Sequence, residues 1–149
     1  MTIIYLAGPI GGCSDGEIHG WREYCKRLAP EFFYEDPSNR IYKGREHIDF
    51  QELVEKDLIQ LKRSDIVLIN WWRPHLPSVG TAMEMAYGRL WAKKVVIVHP
   101  DAHDPSIGMH PWILYHATEF YSTLGGALFN LKRQYGFVDK PDGVAATGG

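Results

Sequence analysis

Short apolar runs alternate along this chain with longer amphipathic stretches, and this alternation constrains the fold more than any other feature. The runs at residues 2–7, 32–35, 65–70, 94–98 and 118–121 have the length of β-strands, and helical periodicity fills most of the intervals. Such alternation is typical of βαβ units, in which each crossover helix returns the chain to a parallel sheet. We therefore predict an α/β fold, a Rossmann-like or flavodoxin-like three-layer sandwich with about five parallel strands.

The stretches between the strands predict four helices and one loop. Residues 100–111 are expected to form the loop, because prolines stand at both of its ends. With no repeat and no second domain, residues 1–138 are expected to form a single domain and residues 139–149 a frayed tail. The predicted helices begin near Ser14 or Asp15 and end before Pro30, then span 48–63, 79 or 80 to 91, and 123–135.

Composition limits the kinds of partner that this chain can have. Its 149 residues suit one domain, and a net charge of −2 disfavours a nucleic-acid polymer or an anionic membrane. No segment approaches the roughly 18 apolar residues of a membrane span, and the N-terminus does not resemble a signal peptide. Two cysteines, Cys13 and Cys25, are too few for a disulfide framework. We therefore expect a cytoplasmic protein that acts on a small molecule.

The predicted fold indicates where a ligand would bind. In open parallel sheets, ligands bind beyond the carboxyl ends of the strands, where loops meet helix N-termini. The segments to examine are therefore residues 8–12, Asp36 with Pro37, and residues 71–81. The fold alone does not indicate what the ligand is.

One carboxylate falls on an unexpected face of the second predicted helix. On a helical wheel, Asp57 lies inside an apolar stripe, between Val54 and Leu61. An acid that faces a core is costly unless it is paired, neutralised or open to a cavity. Burial would raise its pKa and suit it to donate a proton. The alternative is an aspartate that caps a neighbouring loop through backbone N–H groups.

A second carboxylate, Glu84, begins the third predicted helix. Thr81 and Glu84 have the spacing of a capping box, which would give both residues a purely structural role. Alternatively, the first turn places Glu84 at the positive end of the helix dipole, which favours an ionised carboxylate. An ionised carboxylate beside a sugar is what covalent glycoside chemistry requires. Spacing alone leaves both possibilities open.

The loops beside this carboxylate offer a cradle for a ligand. Ser78, Gly80 and Thr81 provide hydroxyls and backbone N–H groups at a helix N-terminus, which suits an alcohol or a phosphate. Residues 8–12 would form the opposing wall. In that wall, glycines such as Gly8 and Gly11, on either side of Pro9, permit close backbone approach.

These pieces occur together in an order that points to one family. The matching segments are Ile4-Tyr5-Leu6-Ala7-Gly8-Pro9, Glu55-Lys56-Asp57-Leu58 with Ser64-Asp65, and Ser78-Val79-Gly80-Thr81-Ala82-Met83-Glu84 with Ala86-Tyr87. From about residue 3 to about residue 98, the chain resembles the nucleoside 2-deoxyribosyltransferase family.

The resemblance implies a catalytic role for three residues. Glu84 would attack the anomeric carbon of a nucleoside and form a glycosyl ester, and Tyr5 would hold its carboxylate. Asp57 would assist departure of the base or contact it, and water or a second base would then resolve the ester. The resemblance implies neither a metal nor an organic cofactor, and it implies a homo-oligomer whose active site is completed across a subunit contact.

One departure from the family concerns the substrate. The family usually has an acid at the position of Ser78, where it binds the sugar 5-hydroxyl, and a serine is similar to related 5-monophosphate N-glycosidases. Because a serine can donate to phosphate and an acid would repel it, Ser78 favours a nucleotide. Against this, the loop Pro9-Ile10-Gly11 lacks the serine and arginine of some such hydrolases. Transfer and hydrolysis both stay open.

Two neighbours of the predicted site carry weaker indications. Trp71 or Trp72 could stack on a base, and Asn70 could offer its side-chain amide to a ligand. The segment 111–115 is apolar enough to form an interface.

Other functional classes fit the sequence less well. The histidines at 99, 103, 110 and 116 lack the tight ligand spacings of a metal site. Gly8, Gly11 and Gly12 do not have the Gly-x-Gly-x-x-Gly spacing of an NAD-dependent oxidoreductase. A non-catalytic nucleotide-binding or sensing module on the same fold stays as the alternative function.

Overall fold

The described part of the chain contains a five-stranded parallel sheet. The computed structural model describes residues 1–39, 45, 47–72 and 78–137; the predicted tail lies outside them. The strand order, β2-β1-β3-β4-β5, is the doubly wound order of flavodoxin-like folds, so the predicted fold class is confirmed. The strands are β1 (Ile3–Ala7), β2 (Phe33–Glu35), β3 (Ile66–Asn70), β4 (Lys94–Val98) and β5 (Glu119–Tyr121).

Helices cover both faces of the sheet and create two cores. The first and last long helices, α1 and α6, pack on one face, and α2, α3 and α5 pack on the other. None of the described helices is long and apolar enough to cross a membrane. The helices are α1 (Asp15–Leu28), α2 (Phe50–Arg63), α3 (Val79–Leu90), α4 (Pro105–Gly108), α5 (Pro111–His116) and α6 (Leu124–Gln134).

The segment predicted as a loop at 100–111 contains the short helix α4 and the first residue of α5. Each of these helices starts with a proline at its first position, where the fixed backbone angle favours a helix and no N–H is needed. The ring of His110 also accepts a hydrogen bond from the Trp112 N–H (3.2 Å). The prolines therefore start helices here rather than break them.

Alternation along β1 decides which side chains can reach the predicted site. Ile4 and Leu6 belong to the core beneath α1 and α6, whereas Tyr5 and Ala7 face the layer of α2 and α3. Tyr5 therefore lies in the layer that also carries Asp57 and Glu84.

The helix that carries Asp57 is only partly covered. Leu61, near its C-terminal end, is fully buried, but Phe50 and Val54 from the same predicted stripe are 63% and 47% exposed. The expectation of a stripe that faces the core along its whole length is therefore wrong. Only the C-terminal part of this stripe is buried in the core.

Candidate active site

Glu84 lies in the second turn of α3, beside the first turn of that helix. The helix begins at Val79 with Ser78 as its N-cap residue, three positions earlier than a capping box on Thr81 would require. The prediction of a Thr81–Glu84 capping box is therefore wrong, and no acid occupies the first turn. The Glu84 side chain reaches back along the helix, so that a Cβ atom on Gly80 would lie 3.8 Å from Glu84 Oε1.

The surroundings of Glu84 favour its neutral form. Its Oε2 atom is shut off from solvent. Burial raises the pKa of Glu84 to about 8, whereas the Tyr5 hydroxyl and the charge of Arg22 act in the opposite direction. Asp57 raises the pKa further by charge repulsion. The predicted stabilisation of the ionised form by the helix dipole is therefore outweighed by desolvation.

Tyr5, Asp57 and Glu84 are thus brought together from β1, α2 and α3. Asp57 is half-buried rather than buried in the core, because its helix is only partly covered. Asp57 is near enough to Glu84 for its charge to influence that carboxyl group. The site lies where β1 and β3 are adjacent, which is the switch point of this strand order.

Packing against neighbouring side chains, as well as the approach of a ligand, constrains the loop after β1. Gly8 and Pro9 are buried, and a Cβ atom on Gly8 would lie 2.7 Å from Trp21 Cζ2. Gly8 therefore leaves no room for a side chain beside Trp21, and its predicted role at the ligand stays a prediction. Gly11 is exposed with open space around it, and Gly12 has φ 75°, which a glycine adopts without strain.

The first turn of α3 forms the other wall. The Ser78 hydroxyl donates to Thr81 Oγ1 (2.6 Å), and Thr81 is 2% exposed. Thr81 therefore points into the protein and orients Ser78, whereas Ser78 is half-buried and Gly80 is exposed. Ser78 and the first backbone N–H groups of α3 are left to face a ligand.

The two residues at the end of β3 point to different places. Asn70 is buried, and its carbonyl oxygen would lie 3.5 Å from a Cβ atom on Gly8. Trp71 instead lines a cavity of about 580 Å³ between α3 and α5. That cavity is also lined by Ala82 and Ala86, which flank Glu84 on the helix, but not by Glu84 itself. The structure therefore places Trp71 in this cavity, and its contact with a base stays a prediction.

A family model agrees with this arrangement. The model described as nucleoside 2-deoxyribosyltransferase matches residues 4–131. The chain belongs to the nucleoside 2-deoxyribosyltransferase family. The match continues past residue 98, where the resemblance seen in the sequence ended, and includes α5 and most of α6.

Solved structures of 2-deoxyribosyltransferases share this fold. The chain is similar to the enzyme from Bacillus psychrosaccharolyticus, with a TM-score of 0.64 and 18% identity over 85% of this chain and 90% of that one. It is also similar to the Leishmania mexicana enzyme, with a TM-score of 0.63 and 16% identity over 91% of this chain and 99% of that one. A search of curated proteins gave no match.

Three of the histidines, His99, His110 and His116, line the cavity that also contains Trp71. His99 is 2% exposed, its Nδ1 accepts from the Asp101 N–H (3.0 Å), and burial lowers its pKa. His110 uses its Nδ1 in the α5 cap. Within the described residues, no group of three or more His, Cys, Asp or Glu side chains is placed to hold a metal ion.

One charged residue of this family member, Arg22, was missed in the sequence, whereas Asp36 belongs to a segment already predicted to lie near a ligand. Arg22 is fully buried on the face of α1 that also carries Ile18 and Cys25, and Asp36 is 3% exposed after β2. The helical position of Arg22 among apolar residues could have revealed it, by the same reasoning that singled out Asp57.

Proposed function

We propose that this chain cleaves the N-glycosidic bond of a nucleoside or a nucleoside 5'-monophosphate through a glycosyl ester on Glu84. Membership of the family supports nucleoside 2-deoxyribosyltransferase-like activity. The observation that carries the proposal is the convergence of Tyr5 and Asp57 on Glu84 at the carboxyl end of the sheet. Enzymes that cleave glycosidic bonds usually use two carboxyl groups that lie in different environments.

In the proposed first step, the Glu84 carboxylate attacks the anomeric carbon as the bond to the base breaks. The bonding electron pair leaves with the base nitrogen, and a proton from Asp57 neutralises the base. Tyr5 favours the ionised form of Glu84, which is the nucleophilic one. In the second step, water or another base attacks the same carbon and releases the Glu84 carboxylate.

The walls of the site support a substrate with a 5-hydroxyl or 5-phosphate near α3. Ser78 and the first N–H groups of α3 would bind this end of the sugar, and Gly80 leaves the approach open. A phosphate is favoured because no acid occupies the first turn. Pro9 and Gly11 would form the facing wall with Asn70 behind it, and Thr81 would act by orienting Ser78.

Incubation with a panel of nucleosides and 5'-monophosphates, with and without a free acceptor base, tests the proposal. Base released without acceptor means hydrolysis, and product formed only with acceptor means transfer. Replacing Glu84 by Gln should lower turnover by about a thousandfold or more while substrate still binds. The matched control is Glu55→Gln, an exposed acid of α2, which should keep full activity.

A lack of turnover across this panel, combined with nucleotide binding that survives Glu84→Gln, would favour a non-catalytic binding module. Turnover that persists in Glu84→Gln would remove Glu84 from the mechanism.

The proposal also includes a homo-oligomeric assembly and a location in the cytoplasm. Large apolar side chains of α3 and α5 are exposed, which supports a homo-oligomer because patches of this kind usually mark interaction surfaces. Cys13 and Cys25 are buried reduced thiols, which supports a reducing compartment such as the cytoplasm.

A further inference from the structure

Arg22 is a fully buried arginine directly beneath the loop that follows β1. Its Nη1 donates to the Ile18 carbonyl (2.5 Å), and its Nη2 donates to the carbonyls of Gly8 (3.2 Å) and Leu6 (3.5 Å). The guanidinium group therefore joins the backbone of α1 to the backbone that ends β1. A planar group with five donors can hold several carbonyls at once, which lysine cannot do.

The charge of Arg22 is only partly compensated. Its Nε lies 3.6 Å from Asp36 Oδ1, close enough for an ion pair but too far for a hydrogen bond. The same carboxylate accepts from Lys26 Nζ (2.8 Å) and from the backbone N–H and hydroxyl of Ser38. Lys26 is also paired with Glu23 Oε1 (3.2 Å), so Asp36 is a counter-ion to Arg22 at ion-pair distance but not its hydrogen-bond partner.

The charge of Arg22 also acts on Glu84. Among the described residues, the groups that influence the Glu84 carboxyl are Tyr5 from β1, Asp57 from α2 and Arg22 from α1, and of these Arg22 is the cation. Arg22 interacts electrostatically with Tyr5 as well. Charge interactions inside a protein are stronger than at its surface, because little water screens them.

We propose that Arg22 is a positioning residue for the reaction, which anchors the loop after β1 and holds a positive charge toward Glu84. The inference rests on the proposed function of Glu84 as nucleophile. Arg22 does not touch the substrate. It favours the carboxylate form of Glu84 and keeps the facing wall of the sugar site in place.

The test is the titration of Glu84 in Arg22→Met, which removes the charge but keeps much of the side-chain volume. Carbon-13 NMR of glutamate-labelled protein reports this titration without any substrate, and the Glu84 signal is identified by its absence in Glu84→Gln. We expect the midpoint to rise by about one pH unit, and kcat/KM at pH 7 to fall about tenfold accordingly. Arg22→Lys should bring the Glu84 midpoint part of the way back toward the wild-type value, because it keeps the positive charge. It should still raise KM, because lysine has fewer donors for the carbonyls of the loop.

Two further variants complete this test: a matched control, and a substitution that should shift the Glu84 midpoint in the opposite direction. Arg27→Met makes the same replacement at an exposed position of α1 and should leave the Glu84 midpoint unchanged. Asp36→Asn removes the counter-charge of Arg22, so the midpoint should fall.

A midpoint that stays in place in Arg22→Met, with reduced resistance to urea, would overturn the inference and leave Arg22 a structural residue. If Arg22→Met does not fold, the Asp36→Asn variant provides the test instead. A lowered Glu84 titration midpoint in that variant supports the inference, and an unchanged midpoint overturns it. If the wild type turns over no substrate, the proposed function fails, while the NMR titration still tests the link between Arg22 and Glu84.

Discussion

Glu84 must meet two opposing requirements. A nucleophile has to be ionised, yet burial favours the neutral acid, and the pKa of about 8 means that roughly a tenth is ionised at pH 7. Tyr5 and Arg22 counteract burial, whereas Asp57 adds to it. The reactivity of this residue is therefore decided by groups on three other elements.

Removing the Tyr5 hydroxyl should shift the pH dependence in a defined direction. An acid with a raised pKa stays protonated below that pKa, so kcat/KM of the wild type should rise as pH passes about 8. Tyr5→Phe removes a hydroxyl that lowers this pKa, so its profile should move to higher pH. The measurement is kcat/KM between pH 6 and 10, with Tyr24→Phe on the exposed side of α1 as control. Identical profiles for Tyr5→Phe and the wild type would contradict this account.

At the level of elements, α3 carries most of the proposed site, and its distance from the sheet is set by one glycine. A Cβ atom on Gly88 would lie 2.9 Å from Val67 Cγ2 and 3.3 Å from Val95 Cγ2. Both valines are fully buried in adjacent strands and have little room to move. The absence of a side chain at Gly88 thus allows α3 to lie close against β3 and β4.

Gly88→Ala should therefore destabilise the protein. Overpacking of this kind costs about 1–3 kcal/mol, which outweighs the gain in helix propensity. Gly20→Ala is the matched control, because a Cβ atom there meets nothing within 4 Å, and it should stabilise the protein by about 0.5–1 kcal/mol. Urea unfolding measures both changes. A Gly88→Ala protein as stable as Gly20→Ala would show that α3 is free to move outward.

At the level of the whole molecule, one helical layer has an apolar outer surface. On α3 and α5, Met83 is 58% exposed, Trp112 is 70% exposed and Tyr115 is 69% exposed. Exposed aromatic residues at this density are typical of protein interfaces. The α1–α6 face on the other side of the sheet offers a comparison, because Phe129 there is 52% exposed.

A charge on the α3–α5 face should separate the proposed oligomer. In sedimentation velocity we expect a dimer or larger assembly for the wild type and a shift to monomer for Trp112→Glu, because a buried unpaired charge weakens an interface. Phe129→Glu places the same charge on the opposite face and should leave assembly unchanged. A monomeric wild type at micromolar concentrations would rule out this interface.

The local pattern of residues was sufficient to predict most elements of the fold. Apolar runs and helical spacing located all five strands within one residue at each end, and α1 begins at Asp15, as predicted. The general position of the site, beyond the carboxyl ends of β1 and β3, followed from the parallel topology. These features depend on residues close together in the chain, so a sequence pattern can show them.

Tertiary structure decided what the sequence pattern could not. The helix α3 begins where it was predicted, which places Glu84 past the first turn, and burial reverses the expected charge state of Glu84. Arg22 is buried because carbonyls of β1 and the carboxylate of Asp36, distant in sequence, surround it. Helix and strand propensities act over a few neighbouring residues, whereas desolvation and charge interactions sum over everything nearby in space. The sequence by itself therefore determined the elements and the place of the site, and only the folded arrangement set the chemistry of its acids.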